Sequence, residues 1–473
     1  MKDNVELVEI EPRRSSLHSH SKVKVDDYSE QKTKHLFKLK KKKDNDGNNK
    51  RKKRPFKKWE KILLAVSWTF FVVCLAFYGY RFVKYYKIYN PKIDGKTAEL
   101  LMTSIVKKST IVYEGDGLYR ISGNYVYKGA SVNNYIRYSG MLWRILKFNT
   151  DGSVDIVTDE GINMLKWDND AKKFSESDIY KYLNEYFYKK IDSSDLATTA
   201  SCQDEITDLN KITCNDLNSK GNVRLLGVSE YLNSKVDASY ISGGNIWLAN
   251  YDGTSVWNIN GSSLSASKPD NMYYVRPVVT IKASVTLKSG TGTKDDPYVI
   301  QDDNKELKVG SYVKMDEDEL VVYDVENDVY KLSFTKSLLS RAYNTSGNAF
   351  DPKSKTSIAY YLNNDLYSTI SYKDKLVETD WYNGSYDSYA DISKSTVKAK
   401  VGLLNVNDIK FTDATNYYLM TPSGESKEYI YSESIVDVKP TIKENIVPTI
   451  AINKLNISSG SGTKNDPYIL EVK

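Results

Sequence analysis

Histidine, the most common general base and a frequent zinc ligand, is confined to the start of this 473-residue chain, at His18, His20 and His35. The long segment after residue 80 therefore has no imidazole for a Ser-His-Asp or Cys-His arrangement and none for zinc. We predict no metal site and no cofactor there, and most hydrolase mechanisms are excluded. A mechanism with paired carboxylates, as in glycosidases, remains an alternative, but the spacing of the 61 acidic residues does not single out any such pair. The short acidic run at Trp167–Asp170 supplies too few oxygens for calcium and predicts a turn.

Aromatic side chains are the remaining candidates for a binding surface. Four of the five tryptophans after residue 80 precede residue 302, and tryptophan beside polar groups suits sugar rings and protein partners. Core positions are favoured for Trp143 and Trp247, whereas Trp257, among Gly, Ser and Asn, is expected to be exposed. Arg276, just before a proline, is open to a structural role beside a buried carboxylate. The candidate ligand-binding residues are Trp257, Trp247, Trp143, Arg144 and Arg276.

A single uncharged stretch predicts that the protein is located in a membrane. Residues 62–80, ILLAVSWTFFVVCLAFYGY, are nineteen residues without a charge in a chain that is 27% charged. As a helix they would span about 28 Å, close to the hydrocarbon thickness of a bilayer. We predict a single transmembrane helix in the lipid bilayer; a buried core helix is the alternative.

The segment before this stretch is strongly basic. Residues 1–61 carry twenty lysines and arginines against ten acidic residues, while the whole chain has a net charge of +6. Thirteen of these basic residues lie between Lys38 and Lys61, which predicts a cytoplasmic N-terminus and an extracellular C-terminal part. We expect residues 1–61 to be disordered and their basic run to lie on anionic lipid headgroups. The rest of the chain is net acidic, so no nucleic-acid partner is expected.

The three cysteines divide between these regions. Cys74 lies within the predicted membrane span, where we expect it to act as a small apolar side chain. Cys202 and Cys214 are twelve residues apart on the predicted exterior, and an oxidising exterior favours a disulfide between them. Two free thiols are the alternative.

An internal repeat organises the predicted exterior. The interval from Leu183 to Leu225 is 42 residues, and the interval from Leu362 to Leu403 is 41. Four blocks recur in one order: 178–191 as 357–370, 223–232 as 400–409, 275–282 as 447–454, and GTGTKDDPYVI from Gly290 as GSGTKNDPYIL from Gly460. We predict a stalk over 81–115 and a tandem duplication of two α+β units, 116–301 and 305–473.

Each unit combines short strands with one amphipathic helix. Residues 135–158 alternate apolar and polar side chains around an Asp-Gly turn, which is typical of a hairpin. The blocks around Leu183 and Leu362 have apolar side chains three and four residues apart, as in a helix. The Gly-Thr-Gly-Thr loop leads into a proline and a strand, so it does not predict a phosphate loop, which needs a helix behind it.

These blocks resemble a known family. The runs from Tyr125 to Val157, YLNEYF, LLGVSEYL, VRPVVTIK and GTGTKDDPYVI resemble an uncharacterised domain of surface proteins in low-GC Gram-positive bacteria. That domain is often tandem and often follows one membrane helix. Its layout is similar to the C-type-lectin-like fold of formylglycine-generating enzymes. The resemblance implies two tandem C-type-lectin-like units, and it is weaker for 305–473, where Trp247 and Arg276 become Tyr418 and Val447.

The function expected from these observations is binding. We predict a membrane-anchored extracellular binding or adhesion module whose partner is a cell-wall glycan or a surface protein. One alternative is a membrane-anchored envelope enzyme that uses paired carboxylates. Another is a signal-transmitting surface protein whose basic tail changes partners when the exterior binds.

Overall fold

The computed structural model describes residues 57–89, 92–93, 96–97, 100–218, 220–301, 305–424, 427–432 and 434–472. The described chain has a mixed α+β architecture with several β-sheets and few helices. The helices are α1 (Lys58–Tyr89), α2 (Leu101–Lys108), α3 (Asp178–Lys181), α4 (Val228–Asn233), α5 (Ile358–Tyr361) and α6 (Tyr367–Thr369). A π-helical turn (Tyr182–Tyr186) and a 3₁₀ turn (Phe187–Lys190) continue α3, a π-helical turn (Leu362–Leu366) joins α5 to α6, and further 3₁₀ turns lie at Phe174–Glu176, Lys373–Lys375 and Ile392–Lys394.

Helix α1 contains the whole uncharged stretch predicted to span a membrane. It runs for 32 residues, and its apolar side chains, such as Trp68 and Phe70, are exposed. Among the described residues, α1 is the one helix that is long and apolar enough to cross a membrane, judged by length and composition. The predictions for the basic tail concern residues that mostly lie outside the described ones.

Residues 116–301, here called the first half, form two main sheets. The larger sheet has the strand order β17-β5-β6-β7-β16-β9, with β4 on β6 and β3 on β4. The smaller sheet has the order β14-β13-β12-β15-β8, and β10 pairs with β11. Strands β1 to β17 are Lys92–Ile93, Lys96–Thr97, Gly117–Ile121, Asn124–Lys128, Tyr135–Tyr138, Met141–Phe148, Val154–Thr158, Asn163–Leu165, Leu196–Ala197, Ser201–Cys202, Leu217–Asn218, Asn245–Tyr251, Val256–Asn260, Ser263–Ser267, Tyr273–Val275, Val278–Ile281 and Tyr298–Val299.

Residues 305–472, here called the second half, also form two main sheets. The larger sheet has the order β24-β29-β20-β19-β18-β31-β30, the smaller one β21-β28-β25-β26-β27, and β22 pairs with β23. Strands β18 to β31 are Tyr312–Met315, Asp318–Glu326, Val329–Phe334, Leu339–Ala342, Thr379–Tyr382, Thr396–Ala399, Val401–Leu403, Tyr417–Gly424, Lys427–Tyr431, Ile435–Val438, Lys443–Ile446, Pro448–Asn453, Ile457–Ser459 and Tyr468–Leu470.

The two halves close their larger sheets in the same way. In each, the last strand of the half runs parallel to the strand that begins the repeated run of three antiparallel strands, β17 along β5 and β31 along β18. The preceding loops need glycine at Gly290 and Gly460, where φ is +98° and +90°. A Cβ would lie 2.1 Å from the Pro297 carbonyl oxygen at the first and 2.0 Å from that of Pro467 at the second. These contacts explain the repeated Gly-x-Gly-Thr sequence without a ligand.

An asparagine fixes the helix of each half to the larger sheet. Asn184 Nδ2 donates to the Val223 carbonyl at 2.9 Å, and Asn184 Oδ1 accepts from Val223 N at 3.0 Å. Asn363 makes the same pair of hydrogen bonds with Val401, at 2.9 and 3.0 Å. The first-half helix (residues 178–190) and the second-half helix (residues 358–369) therefore hold equivalent positions.

Helix α2 packs against the first half, although it lies within the predicted stalk. Leu101 and Ile105 are each 1% exposed, and Leu101 N donates to the Val285 carbonyl at 2.9 Å. The helical spacing of apolar residues in this segment buries one face, so this part of 81–115 is not a free stalk.

The two halves are packed together through a buried polar contact. Residues 76–473 form one compact unit, and the domain boundary placed between the halves stays a prediction. Lys410, 8% exposed, donates to Asn163 Oδ1 at 3.0 Å and to the carbonyl oxygens of Asn405, Val406 and Asp408 at 2.6–2.8 Å. One second-half ammonium group therefore ties its own loop to a first-half strand.

Candidate functional site

Four charged side chains form a cluster on one face of the larger first-half sheet. Lys147 in β6 and Asp155 in β7 pair beside a β-bulge, with Lys147 Nζ 3.3 Å from Asp155 Oδ2. Arg224, 2% exposed, donates from Nη2 to Asp155 Oδ2 at 3.0 Å and from Nε to Thr199 Oγ1 at 2.9 Å. A buried guanidinium is tolerated only when carboxylates and hydrogen-bond acceptors surround it, and this one has both.

Glu230 completes the cluster and fixes the start of α4. It accepts from Gly227 N at 3.0 Å, from Arg224 at 2.6 and 2.8 Å, and from Lys147 Nζ at 3.1 Å. Burial raises the pKa of Glu230, but Arg224 and Lys147 outweigh burial and lower the pKa to about 2. Glu230 is therefore an ionised anchor at neutral pH and is unsuited to donate a proton.

A cleft of about 400 Å³ opens beside this cluster. The side chains of Lys147 and Glu230 are 29% and 23% exposed, so the charged pair reaches the cleft. Other lining residues include Ser229 and Asn233 from α4, Val126 from the β3–β4 hairpin, Leu146, Cys202 and Leu217. The cleft thus combines one charged end with apolar walls, a combination typical of binding sites.

A disulfide borders the cleft. Cys202 and Cys214 are joined in the structure, with their Cα atoms 5.4 Å apart. Just after the closed loop, β11 pairs with β10 and places Leu217 opposite Cys202; Leu217 is 56% exposed. The disulfide therefore helps to hold an apolar side chain at the rim.

The second half carries the same cluster position with the charges reversed. Asp324 in β19 and Lys331 in β20 pair beside a β-bulge, with Lys331 Nζ 3.6 Å from Asp324 Oδ2. The acidic residue stands on the strand equivalent to that of Lys147, and the lysine on the strand equivalent to that of Asp155.

The loop after β24 extends this correspondence. Asp408 Oδ2 accepts from Asn405 N at 2.8 Å, as Glu230 does from Gly227. Gly402 pairs with Thr449 of β29 in the sheet, and it occupies the position that Arg224, paired with Val278 of β16, has in the first half. A Cβ on Gly402 would lie 2.4 Å from the Trp381 ring, so a tryptophan occupies the space beside this glycine.

The first-half helix covers the second-half cluster. Tyr186 Oη donates to Asp408 Oδ1 at 3.2 Å, and Lys190 forms an ion pair with Asp324. Tyr182 Oη donates to the Asn407 carbonyl at 2.9 Å. Two equivalent surfaces thus differ in occupancy, because one holds a protein segment and the other opens into the cleft.

Comparisons of the chain with known proteins gave no match. No family model, curated protein or solved structure matches it. Its function therefore has to be inferred from the geometry of the cleft and of the surface around it.

Two of the predicted ligand-binding tryptophans are core residues. Trp143 and Trp247 are both 0% exposed. Trp143 Nε1 donates to the Tyr138 carbonyl at 3.0 Å, and Trp247 Nε1 donates to the Leu165 carbonyl at 2.8 Å. With their rings enclosed and their donors satisfied, they offer no surface to a ligand, which corrects their inclusion as binding residues and agrees with the core alternative.

The two predicted arginines lie together but are also buried. Arg144 is 5% exposed and Arg276 4%, and Arg144 Nη1 lies 3.3 Å from Asp159 Oδ1. Arg276 Nη2 donates to the Thr158 carbonyl at 2.6 Å, and burial lowers the pKa of Arg276 to about 10. Both guanidinium groups bind the protein's own backbone and carboxylate, so the prediction that they contact a ligand is corrected to a structural role.

Trp257 is less exposed than its polar sequence context suggests. It lies in β13, where Trp257 Nε1 donates to the Ile206 carbonyl at 3.0 Å, and its ring is partly buried against the core. The described lining of the cleft includes none of the five predicted residues.

The residues that do form the site carried a weak signal in the sequence. Lys147 and Asp155 are charged residues within strands whose other residues are mostly buried. Arg224 and Glu230 flank the Leu-Leu-Gly-Val run of one repeated block. A charge inside an otherwise apolar strand indicates a buried partner, but the sequence does not indicate which residue that partner is.

Carboxylate chemistry is not supported at the cleft. Glu230 has a lowered pKa, whereas a general acid needs a raised one. Burial raises the pKa of Asp408, but this side chain is 5% exposed and covered by Tyr186. Across the described residues, no group of three or more His, Cys, Asp and Glu side chains is arranged to hold a metal ion.

Proposed function

We propose that the chain is a single-pass cell-membrane protein with a cytoplasmic N-terminal tail and an extracellular C-terminal part. The length and composition of α1 support the membrane span. The excess of lysine and arginine before α1 supports the orientation.

Protease added to intact cells or protoplasts should test this orientation. We expect a tag after residue 473 to be lost and a tag before residue 1 to survive, because only the C-terminal part is outside. Lysed cells, in which both tags are accessible, serve as the control. A C-terminal tag that survives on intact cells contradicts the orientation.

We also propose that the two halves are tandem units of one C-type-lectin-like fold. The chain would then belong with the uncharacterised surface domains of low-GC Gram-positive bacteria that its sequence resembles. The repeated strand orders, the paired Gly290 and Gly460 loops, and the equivalent hydrogen bonds of Asn184 and Asn363 support a common origin of the halves.

We propose that the extracellular part is a non-enzymatic binding module whose first-half cleft receives a protein partner. The observation that carries this proposal is the occupancy of the equivalent second-half surface by Tyr186 and Lys190. A surface that binds a protein segment in one half and opens beside a charged pair in the other suits a protein partner. The exposed Leu217 at the rim supplies apolar area for that contact.

Binding of residues 97–473 to intact cells tests this proposal. We expect the wild type to bind and Asn233→Arg, on the exposed side of α4 within the cleft lining, to bind about tenfold more weakly or less. Ala266→Arg adds the same charge on an exposed strand away from the cleft and should bind like the wild type.

Pretreatment of the cells separates the classes of partner. Protease should abolish binding, whereas enzymes that degrade cell-wall glycans should leave it. The reverse result would identify a glycan and overturn the proposal of a protein partner. Equal binding by wild type and Asn233→Arg would remove the cleft as the site.

A further inference from the structure

The contact between the two halves joins two kinds of surface. The first surface, here called the docking face, consists of residues of the charged cluster and of the segment after it, which is α4 in the first half and the loop after β24 in the second. Its residues are Lys147, Ser229, Glu230 and Asn233 in the first half and Asp324, Asn407, Asp408 and Lys410 in the second half. The helix face is formed by Ile162, Tyr182, Tyr186 and Lys190 in the first half, and its repeat equivalents are Leu338, Tyr361, Asp365 and Thr369 in the second half. Within the chain, the first-half helix face covers the second-half docking face, which leaves one face of each kind uncovered.

The uncovered helix face is more exposed than its counterpart. Asp365 and Thr369 of the second-half helix are exposed. Leu338 is 42% exposed, whereas its equivalent, Ile162, is 4% exposed beneath the second half. Ile162 N donates to the Val275 carbonyl at the end of β15, and Leu338 N donates in the same way to the Ile446 carbonyl at the end of β28, which supports the equivalence. Leu338 is therefore available on this face for an apolar contact.

A second cavity lies beside this helix face. It measures about 220 Å³ and is lined by Asp316, Glu317, Leu338 and Thr369, among others. At the equivalent place in the first half, the start of the second half fills the space, because Gly140 packs against Gly310 with no room for a Cβ. The second-half helix face therefore retains a recess that the first half has filled.

The charges of the two uncovered faces differ from those of the buried contact. Inside the chain, Lys190 of the helix face pairs with Asp324 of the docking face. The second-half helix face has Thr369 at the position of Lys190, with the acids Asp365 and Asp316 near it. The first-half docking face has Lys147 where the second half has Asp324, and Glu230 keeps the acid of Asp408. An acidic helix face would therefore meet a docking face that carries a lysine beside an acid.

We propose that the second-half helix face of one chain docks into the first-half cleft of another copy. This proposal rests on the proposed function and names its partner. The contact between chains would repeat the contact within each chain, so that first and second halves alternate along a row. Because the two surfaces differ, the contact is head-to-tail and leaves a free face at each end, which permits open-ended rows on the membrane.

Sedimentation of the full chain in detergent tests the proposal. We expect the wild type to form dimers, trimers and larger species as concentration rises. Thr369→Arg and Asn233→Arg, both at exposed positions, should each raise the dissociation constant at least about tenfold, because they block one face each. Asp295→Lys, at an exposed loop position outside both faces, is the control and should associate like the wild type.

Mixing the two blocked variants distinguishes a head-to-tail contact from a symmetric one. Thr369→Arg retains a free cleft and Asn233→Arg retains a free helix face, so an equimolar mixture should give dimers but nothing larger. Dimers formed by Thr369→Arg alone would indicate a symmetric contact through the cleft and overturn the proposal. A wild type that stays monomeric at every concentration also overturns it. If binding to cells is still lost in Asn233→Arg in that case, the proposed binding function stands with a different protein partner.

Discussion

Arg224→Leu should lower the free energy of unfolding of the first half by about 3–5 kcal/mol. Arg224 is buried and holds both Asp155 and Glu230, at 3.0 Å and 2.6–2.8 Å. Removal of the guanidinium leaves two carboxylates with only Lys147 as a cationic neighbour, and breaking a buried ion pair on one side has a cost of this size. Urea unfolding followed by circular dichroism measures the loss, and Arg120→Leu, at an exposed position, should change little.

The pH dependence of this loss provides a second test. The folded-state pKa of Glu230 is about 2, below its ordinary value of 4.5. The stabilisation by Arg224 is therefore fully present above about pH 5 and is lost as the pH falls towards 2. The difference between wild type and Arg224→Leu should be larger at pH 7 than at pH 3. A difference that is constant over this range would show that Glu230 is not the partner that matters.

Lys410→Met should uncouple the thermal unfolding of the two halves. The Lys410 ammonium donates to Asn163 Oδ1 and to three carbonyl oxygens of its own loop. Methionine fills a similar volume but donates nothing, so buried acceptors lose their partner at a cost of about 2–5 kcal/mol in total. We expect the single heat-absorption peak of residues 97–473 to divide into two, since each half has its own sheets but loses a contact that couples them.

The control for this change is Lys443→Met, which removes a lysine at an exposed position and should leave one peak. Burial lowers the pKa of Lys410 to about 7, and the nearby Asp408 opposes this shift. The folded state therefore binds the proton less readily than the unfolded state, so this residue should make the folded state more stable relative to the unfolded state as the pH rises from 7 to 10. A single unchanged peak for Lys410→Met would show that the halves are coupled by other contacts.

Local sequence patterns predicted much of the architecture. Helical spacing located the helices around Leu183 and Leu362, and the alternating run around the Asp-Gly turn located β6 and β7. The repeated glycines at Gly290 and Gly460 marked equivalent loops, because positive φ and close backbone contact leave few other residues.

The site was not predictable in the same way. Tryptophan is typical of ligand platforms, but it is also a large core residue, and Trp143 and Trp247 are both fully buried. In the cluster, Asp155 contacts Arg224, which is 69 residues away in the sequence, and a local periodicity does not predict a contact over that separation. The contact of Tyr186 with Asp408 spans 222 residues, and it decides which face is covered and which is open.

The reversed charges of the two clusters also bear on how the chain folds. Tandem units of similar sequence tend to mispair, because each can offer its helix to the wrong sheet. If the first-half helix approached the cluster of its own half, Lys190 would face Lys147, whereas in the second half it meets the acid Asp324. Exchange of the signs between Lys147–Asp155 and Asp324–Lys331 thus disfavours the wrong pairing of helix and sheet.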